Sequence, residues 1–145
     1  MIEFDKNTDS FEETILLAKS MSSKFEPGGI YGFIGDLASG KTTFIKGLLS
    51  GLDFNGMVNS PTFTLINEYD AKHKVIHIDC YRENNISRWI QLGLYDYFNP
   101  NNIVLIEWPE IIEDILPNDR INIYFVEINN TKIEISVRSN KKVKL

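Results

Sequence analysis

Residues Gly35-Asp36-Leu37-Ala38-Ser39-Gly40-Lys41-Thr42 reproduce the spacing G-x-x-x-x-G-K-S/T. Two glycines five positions apart let a backbone turn tightly and approach a ligand closely. The N–H groups of such a loop, and of a helix opening directly behind it, converge on a polyphosphate. Lys41 would reach the β and γ phosphates as a point charge. The Thr42 hydroxyl would complete the shell of a Mg²⁺ ion, which keeps several waters and prefers oxygen ligands. An incidental Gly-rich turn is the bland alternative, and the flanks argue against it. The buried-type run Ile30-Tyr31-Gly32-Phe33-Ile34 precedes the loop, and an amphipathic pattern follows it.

Phosphate chemistry with Mg²⁺ also needs a carboxylate at a neighbouring strand end, and two are offered. Val75-Ile76-His77-Ile78 ends in Asp79, and Ile103-Val104-Leu105-Ile106 ends in Glu107. Periodicity does not choose between them: one would bind the metal, directly or through water, and the other would orient an attacking water. Either acid alone also reads as solvating a strand end. His77 has the type of a general base, but at an inward strand position it reads first as a hydrogen-bonded core histidine. The Asn/Thr-Lys-x-Asp element that reads guanine is absent, since Asn140-Lys141 has no Asp two residues after the lysine. Asp53-Phe54-Asn55-Gly56 fits D-x-x-G but follows a helix and reads as a turn. ATP is therefore expected rather than GTP.

Elements must hold these groups. Ile2 to Phe4 reads as a short strand. Ser10-Phe11-Glu12-Glu13 fits a capping box opening a helix whose apolar face is Phe11, Ile15, Ala18, Met21 and Phe25. Pro27-Gly28-Gly29 ends it, and Ile30 to Ile34 is a strand buried on both faces. A second helix covers Lys41 to Leu52, with Phe44, Ile45, Leu48, Leu49 and Leu52 on one side. Phe63 to Tyr69 and Val75 to Asp79 suit a hairpin. Helical stretches are expected over Ser87 to Leu92, over Tyr95 to Phe98, and from Pro109 through Ile115. Ile103 to Ile106 is a fully apolar strand. Ile121 to Ile128 and Lys132 to Val137 flank Asn129-Asn130-Thr131 as an antiparallel hairpin. The sum is a three-layer α/β, P-loop NTPase-like domain with a mixed, mainly parallel sheet and a C-terminal β-hairpin.

The 145 residues suit one domain, and 43% apolar with 24% charged is a globular composition that excludes disordered and fibrous classes. A net charge of -5 argues against a protein that blankets nucleic acid. Cys80 is the single cysteine, so no internal disulfide forms and a reducing cytosol is expected. Glu3 and Asp5 spoil a signal peptide, and no apolar run approaches the roughly 18 to 20 residues that span a bilayer. Asn140 to Leu145, with Lys141, Lys142 and Lys144, reads as a solvated tail that could also touch an acidic partner or RNA.

Further motifs follow the loop in order: Ser60-Pro61-Thr62-Phe63-Thr64-Leu65, His77-Ile78-Asp79-Cys80-Tyr81-Arg82, Gly93 with Asp96-Tyr97-Phe98, and Ile106-Glu107-Trp108-Pro109. With Gly35-Asp36-Leu37 and Gly40-Lys41-Thr42-Thr43, the set resembles the bacterial TsaE (YjeE) family, the ATPase subunit of the tRNA threonylcarbamoyladenosine system. The likeness runs from Ser10 to the final hairpin. It implies that ATP is held along Gly35, Asp36, Leu37, Ala38, Ser39, Gly40, Lys41, Thr42 and Thr43. It further implies that Thr42 and Glu107 ligate Mg²⁺, that Asp79 acts on the hydrolytic water, and that Thr62 and Thr64 lie in a nucleotide-sensing segment. Trp108 resembles the tryptophan of the family's ATPase site, and reads equally as a core or interface aromatic. Ser10 matches a position beside the nucleotide while also capping a helix. Lys132 matches a basic residue near the nucleotide, though an exposed hairpin lysine is its simpler reading. Arg82 reads as a contact to phosphate, partner or RNA, or as a simple ion pair.

The implied activity is a Mg²⁺-dependent ATPase, weak alone and raised in a complex with TsaD-like and TsaB-like proteins that modifies adenosine 37 of tRNA. tRNA itself would be gripped mainly by the partners. One departure is visible: the family usually reads Gly-Ala where this chain has Ala38-Ser39. A Cβ at position 38 restricts the loop where φ would be positive, while Ser39 adds a hydroxyl able to bond phosphate. Two other classes share the phosphate loop. A small-molecule kinase would need phosphate-clamping arginines, yet Arg82, Arg88, Arg120 and Arg138 are not clustered in sequence. A non-catalytic module would bind ATP without turnover.

Overall fold

The computed structural model describes residues 4–36, 39–59, 61 and 64–139. The expectations on Leu37, Ala38, Ser60, Thr62, Phe63 and the tail from Asn140 lie outside the described residues. The chain order is β1 (Phe4–Thr8), α1 (Phe11–Met21), β2 (Ile30–Gly35), α2 (Lys41–Gly51), β3 (Ile66–Asp70), β4 (Lys74–Asp79), α3 (Ile86–Gln91), β5 (Asn102–Glu107), β6 (Ile121–Glu127) and β7 (Ile133–Ser139). Short 3₁₀ segments at Ser22–Lys24, Leu94–Tyr97 and Pro109–Ile115 fill the connections.

Among the described residues the strands form one sheet in the order β1-β7-β6-β2-β5-β4-β3. The central strands β6, β2, β5 and β4 are mutually parallel. Since β1 and β6 are both antiparallel to β7, β1 points the same way as the centre, and only β3 and β7 run against it. Strands β1 and β3 are the two edges.

Period-two alternation sorts the apolar side chains onto two faces. From β5, Ile103 and Leu105 join Phe33 of β2, Phe125 of β6 and the α1–α2 residues Ala18, Phe44, Ile45 and Leu48 in one core. Val104 and Ile106 turn the other way, to Ile76 and Ile78 of β4 and to Trp89, Leu94, Ile112 and Leu116. Helix layers thus cover both faces of the sheet, the expected three-layer arrangement. No described helix is long and apolar enough to cross a membrane.

Several boundaries differ from the expectation. Strand β1 runs on to Thr8, past the expected end at Phe4, while Ile2 and Glu3 lie outside the described residues. It is an edge strand carried by its ladder to β7, and its exposed Asp5, Lys6 and Asn7 give it no apolar pattern. In α1 the buried face is Thr14, Ala18 and Met21, whereas Phe11 is 61% exposed. Thr14 is accommodated because its hydroxyl pairs with that of Thr8 at 2.7 Å. Strand β3 begins at Ile66 because Leu65 adopts a left-handed φ of 67°, which no extended strand contains. The segment after Pro109 is 3₁₀ and kinked at Ile112.

Candidate nucleotide and metal site

The phosphate loop joins the central strand β2 to α2. Gly40 caps α2 with φ 102°, a backbone state that L side chains rarely adopt, and it offers no side-chain cap. The first-turn N–H groups of α2 therefore have no capping side chain to answer them, which suits an anion. Gly35 serves close approach: a Cβ there would lie 2.7 Å from the Phe125 carbonyl oxygen and 2.7 Å from Ser39 Oγ. The Ser39 N–H donates to the Asp36 carbonyl at 3.2 Å, tightening the loop. The Ser39 hydroxyl is buried with no hydrogen-bond partner among the described residues.

Lys41 lies along the inside of this loop, with only 4% of its surface exposed. Its Nζ donates to the Gly35 carbonyl at 2.5 Å and sits 3.8 Å from the centre of the Trp108 ring. Burial holds its ammonium below the ordinary lysine range, against the opposing pull of Glu107, Asp79, Glu110 and Asp36. Burial likewise pushes the Glu110 carboxyl up.

The two candidate acids are register partners at the ends of adjacent parallel strands, Asp79 of β4 opposite Glu107 of β5. Alternation puts His77 and Asp79 on the face of β4 that carries Val75, and Glu107 on the face of β5 that carries Leu105. That is the face covered by α2. Thr42 Oγ1 accordingly donates to Glu107 Oε1 at 3.3 Å, across 65 residues of sequence. The other carboxylate oxygen, Oε2, lies 2.7 Å from His77 Nε2. Asp79 Oδ1 accepts the Tyr81 N–H at 3.0 Å.

A hydroxyl beside a carboxylate is a hard-oxygen donor pair of the kind Mg²⁺ takes. Among the described residues no group of three His, Cys, Asp or Glu could hold a metal unaided. Mg²⁺ does not require one, since it commonly takes one or two protein oxygens and completes its shell with phosphate and water. The residues therefore fit the ion. Trp108, directly after Glu107, has φ 58° and ψ 48°, left-handed for a residue with a bulky side chain. Its N–H donates to the Phe33 carbonyl at 3.2 Å. The ring is placed between Lys41 and Tyr81, whose ring centre is 4.9 Å away.

The remaining candidates surround the same end of the sheet. Asp36 is exposed and, with Gly35 and residues 124–130 of the β6–β7 hairpin, lines a cleft of about 450 Å³. Thr43 is half-buried in the first turn of α2. Ser10 caps α1, accepting the Glu13 N–H at 3.1 Å. Lys132 lies 4.0 Å from Asp9, next to that cap, and Ile133 beside it would meet a Cβ at Gly40 at 3.1 Å. Ser10 and Lys132 thus flank the loop rather than lie within it. Thr64 is exposed and bonds Asn67 at 2.9 Å.

Three neighbours were not assigned to the site from the sequence: the bond from His77 to Glu107, Tyr81 against Trp108, and Glu110 near Lys41. The spacing of His77 two residues before Asp79 was the available signal, because it puts both on one strand face. Cys80, directly after β4, points to the opposite core, where burial raises its thiol pKa.

Comparison with known proteins identifies the family. The family model for "Threonylcarbamoyl adenosine biosynthesis protein TsaE" matches residues 8–136. The tRNA threonylcarbamoyladenosine biosynthesis protein TsaE of Bacillus subtilis is 40% identical over 126 residues, 86% of this chain and 78% of that protein. The protein of the same name from Haemophilus influenzae is 41% identical over 110 residues, 73% of this chain and 68% of its own length. A crystal structure of YdiB from Bacillus subtilis superposes with a TM-score of 0.82 at 33% identity, covering 97% of this chain and 87% of that one. With the family model spanning most of its length and the phosphate loop set on the sheet as described, the chain belongs to the TsaE family.

Proposed function

We propose that this chain is a single-domain, cytoplasmic ATPase subunit that hydrolyses Mg-ATP in support of threonylcarbamoylation of adenosine 37 in tRNA. It would act on a complex of TsaD-like and TsaB-like proteins, which hold the tRNA. The observation that carries the reading is the meeting of Thr42 and Glu107 at 3.3 Å at the start of α2, with Asp79 in register beside them. The names of the relatives supply the tRNA pathway.

In this reading the loop N–H groups from Gly35 to Thr43, with Leu37 and Ala38 among them, take the phosphates. Lys41 leaves the Gly35 carbonyl to pair with the β and γ oxygens. Thr42 and Glu107 would hold Mg²⁺, which when bound neutralises charge developing on the phosphates. Asp79 orients the attacking water. Trp108 covers the lysine and keeps bulk water from it, while Ser10 and Lys132 flank the nucleoside.

The test is Mg-ATP hydrolysis by the purified protein with and without the partner pair. The partners are expected to raise turnover, and Thr42→Ala to lower it by about 10²-fold. No hydrolysis in the complex, with Thr42→Ala indistinguishable from wild type, would overturn the proposal. Transfer to an added metabolite instead of water would select a kinase, and tight binding without turnover a sensing module.

A further inference from the structure

We infer that His77 is a positioning residue for Glu107: its ring holds one carboxylate oxygen so that the other is presented to Thr42 and the metal. This rests on the reading of Thr42 and Glu107 as magnesium ligands. His77 is 0% exposed and Glu107 3%. The carboxylate divides its oxygens, Oε2 to His77 Nε2 at 2.7 Å and Oε1 to Thr42 at 3.3 Å. A glutamate has three rotatable bonds, and a bond of this length on one oxygen fixes where the other points.

A carboxylate only accepts hydrogen bonds, so Nε2 must carry the hydrogen. The opposite nitrogen agrees: Nδ1 is buried with no partner among the described residues. A bare lone pair there costs less than an unanswered N–H, which favours the Nε2–H tautomer. The ring of Tyr69, centred 6.4 Å away, lies beside the imidazole. Full burial behind Glu107, with Nε2 already committed, also removes His77 as a general base. An apolar side chain at this position would leave Glu107 Oε2 buried and unanswered, and the carboxylate free to turn away from Thr42.

Outer hydrogen bonds to metal ligands are commonly worth 10- to 100-fold in metal affinity. The experiment measures ADP affinity by calorimetry over a range of Mg²⁺ concentrations and in EDTA. His77→Met should raise the Mg²⁺ concentration needed for half the effect about tenfold, with affinity in EDTA unchanged. His77→Gln, whose amide can present an N–H near the Nε2 position, should recover most of the loss. Equal shifts in the two variants, or none in either, would overturn the inference. No Mg²⁺ effect in wild type would instead remove the Thr42 and Glu107 reading, and this one with it.

A second measurement uses the unaltered protein and so decides even where His77→Met fails to fold. Long-range ¹H–¹⁵N spectra of the imidazoles need resolve only two histidines, the other being the half-exposed His73. Hydrogen on Nε2 of His77 is expected. Hydrogen on Nδ1 alone would make Nε2 an acceptor facing a carboxylate and overturn the inference.

Discussion

Lys41 carries its charge into a buried position, where a carbonyl, an indole ring and nearby carboxylates surround it without restoring its ordinary affinity for the proton. Because the folded pKa lies below the unfolded value of 10.5, the charged lysine costs the folded state at neutral pH. That cost disappears as pH rises from the lowered pKa toward 10.5. Lys41→Met should therefore stabilise the nucleotide-free protein at pH 7 by on the order of 1 kcal/mol, while abolishing nucleotide binding. Urea unfolding across pH checks the sign: the advantage of the variant should shrink on the alkaline side. At this scale the phosphate loop was legible because its signature is contiguous. The bond between His77 and Glu107 was not, since it crosses 30 residues and depends on the β4–β5 register. The left-handed backbone of Trp108 left no trace in residue type.

Elements show the same division between local and distant causes. The α1 cap was readable because Ser10 and Glu13 sit in a fixed local pattern. In the fold, Ser10 Oγ accepts the Glu13 N–H at 3.1 Å, while the Glu13 carboxylate accepts the N–H of Asp9. Ser10→Ala removes the first of these and should cost about 1 kcal/mol in urea unfolding. Repeating the measurement with ADP then separates the cap from any nucleotide contact: a pure cap loses the same amount in both conditions. The central strands β2, β4 and β5 were legible from their apolar runs. The reach of β1 to Thr8 was not, because an exposed edge strand is specified by its partner β7 rather than by hydrophobic alternation. On helix α1 the expected Ala18 and Met21 are buried, whereas Phe11 stands in solvent and Thr14, bonded to Thr8 of β1, takes a buried place that no apolar pattern announces.

At the scale of the molecule, the sheet sets the candidate site on the face of the larger core and a second, smaller core on the other. Lys41, Thr42, His77, Asp79 and Glu107 lie on the α2 side, whereas Trp89, 0% exposed, anchors the opposite layer and donates its indole N–H to the Glu83 carbonyl at 2.8 Å. Trp89→Ala should cost about 3–5 kcal/mol of stability, read by thermal or urea unfolding. ADP affinity of the protein that remains folded should be unchanged. The three-layer class was readable from apolar strands alternating with helices, but the order that places β2 between β5 and β6 was not, because sequence periodicity carries no neighbour information. Among the described residues that sheet also ends, on both sides, in strands of five residues. One edge carries Asp5 and Lys6, with Asp5 paired to Arg138 at 2.9 Å; the other carries Glu68 and Asp70, with Glu68 paired to Lys74 at 2.8 Å. Short, charged edges discourage another chain from extending a sheet by strand addition. Under the proposed function, partner proteins would meet its helices and loops rather than these edges.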